Sequence, residues 1–354
     1  MFLSLVTRFL KHLPANEHYI DGAKNIDWVF IEISSECKVL IYKHCVKEFT
    51  EIIKNKFSKS VLYDSKERLL SEVIQEARIL VGWKFPEELL KNAVNLRWIQ
   101  LIGASLSITE KGYDIPHYIN DYVVITNTRG LYSNTVADYV IWSILTLSRK
   151  LHLVLKAQTH RNWAQHIGDD IKGRTVGILG LGKIGSSIAE KTSALGMKIF
   201  AIKRRYASEY NIPHIDKLYP TNELAEFLGN IDFLVVCLPF TCETKGLIGR
   251  DEFKHMKNSA FLIDISKGGV VRHRDLIYAV RNKIIAGAAL DVFEEEPLPR
   301  DSELWNSDNV LITPHISGIT VDYARKVGSF FCDNLKRFIE GRDLMNIINK
   351  AEGY

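Results

Sequence analysis

The stretch RTVGILGLGKIGSSIAEKTSAL, residues 174–195, decides the fold. Its apolar run VGIL reads as a buried strand and leads directly into GLGKIG, Gly180 to Gly185, a GxGxxG pattern. The pattern alone occurs by chance. Here a strand precedes it and a helix, KIGSSIAEKTSAL, opens inside it, the setting that a dinucleotide-binding turn requires. Gly180 permits the tight turn, Gly182 lets a pyrophosphate approach the backbone, and Gly185 lets helix and strand pack closely. The helix N-terminus offers its free N–H groups and positive dipole end to the phosphates. A purely structural glycine turn is the competing reading.

Further strand-like runs follow: MKIFAI (197–202), DFLVVCLP (232–239), AFLIDIS (260–266), IIAGAALDVF (284–293) and NVLITPH (309–315). With VGIL they make six strands separated by helical spacers, a full doubly wound nucleotide-binding domain. Before the glycine turn, KVLIY (38–42), ARILVGW (77–83), RWIQLIG (97–103) and VVITN (123–127) alternate with helical stretches, which favours a second parallel α/β unit. The expected fold class is α/β, with two Rossmann-like doubly wound domains and a cleft between them. Thr135 to about Leu155 reads as one long apolar helix, buried in a core or against another subunit. VDYARKVGSFFCDNLKRFIEG (321–341) reads as an amphipathic helix that packs back on the first unit. The expected division is therefore a discontinuous substrate domain, 37–136 plus 317–354, a dinucleotide-binding domain, 137–316, and an N-terminal extension, 1–36.

A chain of 354 residues suggests about two domains. The formal charge of +4 is spread along it with no run of like charges, so nucleic-acid binding has no support in composition. The five cysteines make an odd count and include no CxxC pair, which argues against a disulfide framework or a zinc site and for a reducing, cytoplasmic setting. Arg8 and Lys11 interrupt the apolar opening, which shows no clear signal peptide, and no segment has the apolar length to span a bilayer. No metal and no membrane partner is expected.

In enzymes that use NAD, an acidic residue ends the second strand of the nucleotide fold and binds the ribose 2′-hydroxyl. This chain places Lys203, Arg204 and Arg205 there, cations suited to a 2′-phosphate, so NADP(H) is favoured and NAD(H) remains possible. A solvated basic strand end is the alternative. At or just after other strand ends stand Lys267, Glu296 and His315. Carbonyl reduction needs an acid to protonate the developing alkoxide, and histidine suits that role near neutral pH. A neighbouring carboxylate would hold the imidazole in place, and a cation would bind the substrate anion. Each has a plain alternative: a structural histidine, a charged loop from Glu294 to Pro297, a solvated turn lysine.

GRTVGILGLGKIG, CLPFTCETKGLI, MKNSAFLIDISKGGVV, IIAGAALDVFEEEP and NVLITPHISGIT stand in an order and spacing that resemble the D-isomer-specific 2-hydroxyacid dehydrogenase family, over about residues 37–345. The resemblance implies that His315 is the general acid in reduction, Glu296 its partner, and Lys267 the counterpart of the family's catalytic arginine. It implies that Asp291 holds the nicotinamide amide, and that Leu238, Pro239, Ile265 and Ser266 lie along the cofactor. Lys183, Ile184, Thr244 and Ser317 join the implied cofactor contacts. Gly103, Ala104 and Ser105 match a loop whose N–H groups hold the substrate carboxylate, and Trp83, Lys84 and Arg129 are candidate pocket residues. Lys203 departs from the family's acidic residue and Lys267 from its arginine; Ser107, Asp138 and Arg272 depart as well.

The implied activity is NAD(P)H-dependent reduction of a small 2-oxoacid, glyoxylate or hydroxypyruvate, to the D-2-hydroxyacid by a homodimer. Two alternatives stand beside it. One is an enzyme like D-3-phosphoglycerate dehydrogenase, against which the early end of the chain counts. The other is a nucleotide-sensing interaction protein of the same fold with impaired catalysis.

Overall fold

A computed structural model describes residues 28–34, 37–43, 46–57, 61–64, 68–103, 108–109, 118–204 and 212–350. Tyr132–Thr320 forms one compact unit, and the described residues on either side of it in the sequence form the other. Among the described residues no helix is long and apolar enough to cross a membrane.

The flanking unit is built on a six-stranded sheet in the order β3-β1-β2-β4-β5-β6. Its strands are β1 (Trp28–Ser34), β2 (Cys37–Tyr42), β3 (Val61–Asp64), β4 (Ile79–Gly82), β5 (Trp98–Leu101) and β6 (Val124–Thr126). β2, β4, β5 and β6 run parallel, as the alternating sequence predicts. β1 is a correction to the expected N-terminal extension, because it pairs antiparallel with both β2 and β3. Trp28, Val29, Phe30 and Ile31 are all buried in it, so burial of four consecutive large side chains gives the segment its place inside the sheet.

The C-terminal helix Tyr323–Ile339 returns to this unit and packs on the helix Val46–Lys56. The Trp98 indole stacks on Phe331 and Phe338, with centroids 5.4 and 5.5 Å away, and its N–H donates to the Thr126 hydroxyl at 2.7 Å. Asn334, buried on the same helix, accepts from the Met345 N–H at 2.8 Å and donates to the Met345 carbonyl at 3.1 Å. Apolar burial thus carries the docking, and the bonds to Met345 keep the buried Asn334 amide satisfied.

The unit Tyr132–Thr320 holds a wholly parallel seven-stranded sheet in the order β13-β12-β11-β10-β7-β8-β9. Its strands are β7 (Thr175–Leu179), β8 (Lys198–Ile202), β9 (Lys217–Tyr219), β10 (Phe233–Val236), β11 (Phe261–Asp264), β12 (Gly287–Leu290) and β13 (Val310–Ile312). Six match the expected runs. β9 is an addition: it is three residues long, with Lys217 exposed and only Tyr219 buried, too short for a periodic signal. Strand order reverses between β7 and β10, which makes the C-terminal end of β7 the switch point where such sheets bind ligands. Phe227, Leu228, Ile231, Phe253 and Leu276 belong to the core cluster of this unit.

The expected single helix over residues 135–155 is two helices, Ser133–Ser148 and Leu151–Thr159. Lys150 sits between them at φ 54°, a left-handed conformation that ends the first helix. The Ser148 carbonyl accepts instead from the Asp169 N–H at 2.9 Å, so a distant segment takes the bond that the next helical turn would have made. The first helix is largely buried, whereas the second buries none of its residues.

Candidate active site

One row of hydrogen-bond register crosses the parallel sheet at its carboxyl edge: Ile202, Leu179, Val236, Asp264, Leu290 and Ile312. The chain leaves all six strands at the same level. Lys203, Gly180, Leu238, Ile265, Asp291 and the segment leading to His315 therefore emerge along one edge. From β8 to β13 that edge spans five strand spacings, roughly 24 Å at about 4.8 Å each. The basic strand end and the histidine thus mark opposite ends of this edge.

At the switch point, Gly180 adopts φ +112°, and a Cβ there would stand 2.8 Å from the Cys237 carbonyl oxygen. A Cβ on Gly185 would stand 2.3 Å from the Gly180 carbonyl oxygen, so the turn closes only with glycine at both positions. Gly182 differs. A Cβ built on it meets nothing within 4 Å, so open space lies in front of the backbone that begins the helix Lys183–Ala194. The first N–H groups of this helix have no intrahelical acceptors. Lys183 places a cation in the first turn, against the helix dipole, a cost that a bound phosphate offsets. These features fit a dinucleotide pyrophosphate. Ile184 is half-buried beside them. On the buried side, the Cys237 thiol donates to the Gly180 carbonyl at 2.8 Å and is pushed up to about 12, by burial first and the Asp264 charge second.

Lys203 and Arg204 follow β8, half-buried and exposed respectively. Arg204 lies 3.5 Å from the Glu243 carboxylate, an exposed pair. Arg205 lies outside the described residues, as do Ala104, Ser105 and residues 1–27 of the expected extension. After β10, Thr244 braces the loop: its hydroxyl donates to the Pro239 carbonyl at 2.6 Å and accepts from the Thr241 N–H at 2.8 Å. Leu238 is half-buried beside Pro239. Asp138, on the helix Ser133–Ser148, forms an ion pair with Lys191 of the glycine-turn helix.

Lys267, Glu296 and His315 come together around the ends of β11, β12 and β13. The His315 Nδ1 lies 2.7 Å from the Glu296 Oε2, with both side chains about 35% exposed. The other Glu296 oxygen accepts from the Phe293 N–H at 3.0 Å, which fixes the carboxylate in its turn. Burial pushes the Glu296 carboxyl up, but the His315 hydrogen bond and charge, the Phe293 N–H and the Lys267 cation outweigh it and hold the group below its usual 4.5. The Lys267 contribution places that ammonium within electrostatic reach of the pair. Gly268 explains how: a Cβ there would stand 1.7 Å from the Phe293 carbonyl oxygen, so the turn after Lys267 is pressed against the turn that carries Glu296. The backbone at His315 is itself left-handed, φ 55°, strain that the surrounding bonds must maintain.

Asp291 maintains them. It is fully buried, and its Oδ1 accepts from the Thr313 hydroxyl at 2.7 Å and the Ile316 N–H at 2.8 Å. Its Oδ2 accepts from the Ser317 N–H at 2.8 Å, so one carboxylate clamps both sides of His315. Thr313 also bonds Tyr139 Oη at 2.7 Å. Sequence reasoning missed Thr313 and Tyr139; no motif marks a hydroxyl pair whose members stand 174 residues apart. Ile265 is buried and Ser266 half-buried between β11 and Lys267.

Gly103 belongs to the other unit, at the end of β5, where its carbonyl accepts from the Thr128 N–H at 3.0 Å and Trp83 lies against it. Lys84 and Arg129 are exposed in that same unit. No group of His, Cys, Asp or Glu among the described residues is arranged to hold a metal ion.

A family model described as D-isomer specific 2-hydroxyacid dehydrogenase, NAD binding domain, matches residues 141–317. The chain is similar to glyoxylate reductase of Thermofilum pendens, 31% identical over 296 residues that span 81% of this chain and 85% of that protein. It is also similar to glyoxylate/hydroxypyruvate reductase B of Yersinia pestis, 31% identical over 298 residues, 81% of this chain and 88% of the relative. Among solved structures, an NADPH-dependent glyoxylate/hydroxypyruvate reductase from Sinorhizobium meliloti, in complex with NADP and sulfate, aligns with a TM-score of 0.70. That alignment covers 78% of this chain and 86% of the other at 26% identity.

Proposed function

The chain belongs to the D-isomer specific 2-hydroxyacid dehydrogenase family, and from that premise we propose that it reduces glyoxylate or hydroxypyruvate to the D-2-hydroxyacid with NADPH. The observation that carries this reading is the His315–Glu296 pair at 2.7 Å beside Lys267, at the strand edge that begins with an open glycine turn.

The Gly180–Gly185 turn and the N–H groups after Gly182 would hold the pyrophosphate, and Lys203 and Arg204 the 2′-phosphate. When bound, the reduced nicotinamide supplies the reducing electron pair. Glu296 accepts from the Nδ1 of His315, which leaves Nε2 to hand a proton to the substrate oxygen. Lys267 binds the substrate anion as a point charge, without the planar fork of an arginine.

A homodimer accounts for the exposed apolar side chains that follow one another from the end of the buried helix onward. Trp142, Leu145, Leu151, Val154 and Leu155 are between 38% and 51% exposed, Ile167 is 79% and Trp163 95% exposed. Apolar side chains left in water are costly, and their succession along this stretch supports a subunit interface there. The described cysteines, Cys37, Cys237, Cys242 and Cys332, are free thiols, which supports a cytoplasmic setting.

The test is oxidation of NADPH and NADH against glyoxylate, hydroxypyruvate, pyruvate and 3-phosphohydroxypyruvate. Fastest turnover of glyoxylate or hydroxypyruvate with NADPH is expected. A preference for 3-phosphohydroxypyruvate would replace this reading with that of a phosphoglycerate dehydrogenase, and tight NADPH binding without turnover would replace it with that of a sensor.

A further inference from the structure

We propose that Glu294 is a positioning residue for the His315–Glu296 pair: it ties the turn that carries Glu296 to the start of the helix His273–Arg281. The inference rests on the reading of His315 as the proton donor and of Glu296 as its partner.

Where the Glu296 carboxylate stands depends on Phe293. The Phe293 N–H donates to Oε1 at 3.0 Å while Oε2 faces the His315 imidazole, so movement of the Phe293 backbone moves the carboxylate. Contact with Gly268, where a Cβ would stand 1.7 Å from the Phe293 carbonyl oxygen, limits how near this backbone comes to the turn after Lys267. A steric contact resists approach only. Withdrawal needs a tether, and His273 provides it at both of the residues concerned. Its backbone N–H donates to the Glu294 Oε1 at 2.8 Å, and its ring meets the Phe293 ring edge to face with centroids 5.7 Å apart.

The anchor is firm. Ile248 holds the backbone on both sides of Val271: its N–H donates to the Val270 carbonyl at 3.1 Å and its carbonyl accepts from the Arg272 N–H at 2.9 Å. His273 is buried, its Nε2 has no hydrogen-bond partner, and burial holds the imidazole below its usual range against the raising pull of Glu294 and Glu296. The ring therefore acts by packing, and the directed bond is the one to Glu294. That bond suits its place. The helix starts at His273, and its first N–H groups have no intrahelical acceptors. Arg272 occupies the N-cap without a side-chain bond to them; its guanidinium lies against Gly246, where a Cβ would stand 2.5 Å from Nε. A carboxylate at this end satisfies a donor and complements the helix dipole. Glu294 thus does from outside the helix what a serine or aspartate at the N-cap would do from within it. In doing so it fastens the turn of Glu296 to the same connection that carries Lys267.

The test compares Glu294→Ala, Glu294→Gln, and Arg272→Ser combined with Glu294→Ala, each in the full-length protein at saturating NADPH. Alanine leaves the bond unmade, whereas the amide oxygen of glutamine still accepts from the His273 N–H. Serine at the N-cap stabilises the helix without reaching the turn. Glu294→Ala is expected to lower kcat for glyoxylate or hydroxypyruvate about tenfold to a hundredfold while KM stays within about threefold, because proton transfer is felt only in the transition state. Glu294→Gln should keep kcat within about threefold of wild type, and the double variant should regain Tm but not kcat. Wild-type kcat in Glu294→Ala, or an equal loss in Glu294→Gln, overturns the proposal. Return of kcat together with Tm in the double variant overturns it too, since Glu294 would then serve the helix alone. Amide exchange at Phe293, followed by NMR, needs no turnover: it should run about tenfold faster in Glu294→Ala and in the double variant, and unchanged exchange overturns the proposal. A wild type inactive on both oxoacids would instead remove the reductase reading, and Phe293 exchange would still decide the role of Glu294.

Discussion

Gly268→Ala is the substitution for which the structure gives the most definite consequence. A Cβ at this position would stand 1.7 Å from the Phe293 carbonyl oxygen, 2.4 Å from the Phe293 carbonyl carbon and 3.0 Å from the Glu294 nitrogen. All three are backbone atoms, so no side-chain rotation relieves the clash. Carrying the first contact out to about 3.4 Å, an ordinary van der Waals separation, takes roughly 1.7 Å of backbone movement. That movement falls between Lys267 on one side and the Phe293–Glu296 turn on the other. A misplacement of about 1 Å in an active site costs on the order of a hundredfold in rate, so kcat/KM for the best 2-oxoacid should fall at least about a hundredfold. Overpacking should also destabilise by about 1–3 kcal/mol. For a unit of this size that corresponds to a fall in Tm of roughly 2–12 °C. NADPH affinity, measured by fluorescence titration, should stay within about threefold, since the glycine turn lies two strands away on β7. If Gly268→Ala kept kcat/KM within about threefold of wild type, this close approach would not be what sets the distance from Lys267 to Glu296.

Three further outcomes are expected. Gly182→Ala meets open space, so its Tm should match wild type while its NADPH dissociation constant rises about tenfold or more through obstruction of the pyrophosphate; an unchanged constant would remove Gly182 from the cofactor site. His315→Ala should lower kcat by about a hundredfold to ten-thousandfold with NADPH binding nearly intact, and surviving turnover would refute the acid assigned here. Glu296→Gln bears on pH: because the folded Glu296 carboxyl lies below its ordinary 4.5, its stabilising contribution is complete above that value and is lost as pH falls through the lowered one. The Tm gap between wild type and Glu296→Gln should therefore be constant near neutrality and close on acidification, and a gap that persists at the lowest pH would rule out ionisation as its source.

The parts of this molecule legible in the sequence are those where local pattern and tertiary fate coincide. β7, β10 and β11 are predominantly apolar runs with every residue buried or nearly so, and such runs announce themselves. The glycine turn was readable for the same reason, since each glycine answers a steric need set within a few residues. β9 was not, because most of what holds it comes from β8: the Ile199 N–H donates to the Asp216 carboxylate at 2.7 Å just before the strand begins. The helix break at Lys150 was hidden too, for lysine has no local reason to turn left-handed, and the competing donor at Asp169 lies 19 residues further on.

In the site, Lys267, Glu296 and His315 could be placed because strand ends in a parallel sheet share an edge. The clamp of Asp291 on both sides of His315 depends on the donors that residues 313–317 aim inward, one hydroxyl and two N–H groups. No periodicity records that. β1 was overlooked as an extension although four of its seven residues are buried, because its pairing is antiparallel and stands outside the α/β alternation used to find the rest.

The register row that levels the strand ends has a consequence for how freely the sequence can drift. Backbone hydrogen bonds set that level, so exchange of one apolar side chain for another inside β7, β10 or β11 leaves the edge where it is. Among the intolerant positions are Gly180, Gly185 and Gly268, where a single methyl group would meet a carbonyl oxygen at 2.8 Å, 2.3 Å and 1.7 Å. Much of the information that aligns the reacting groups is thus stored as missing atoms, and a search for variants with altered substrate choice should vary the loops and leave these three sites as they are.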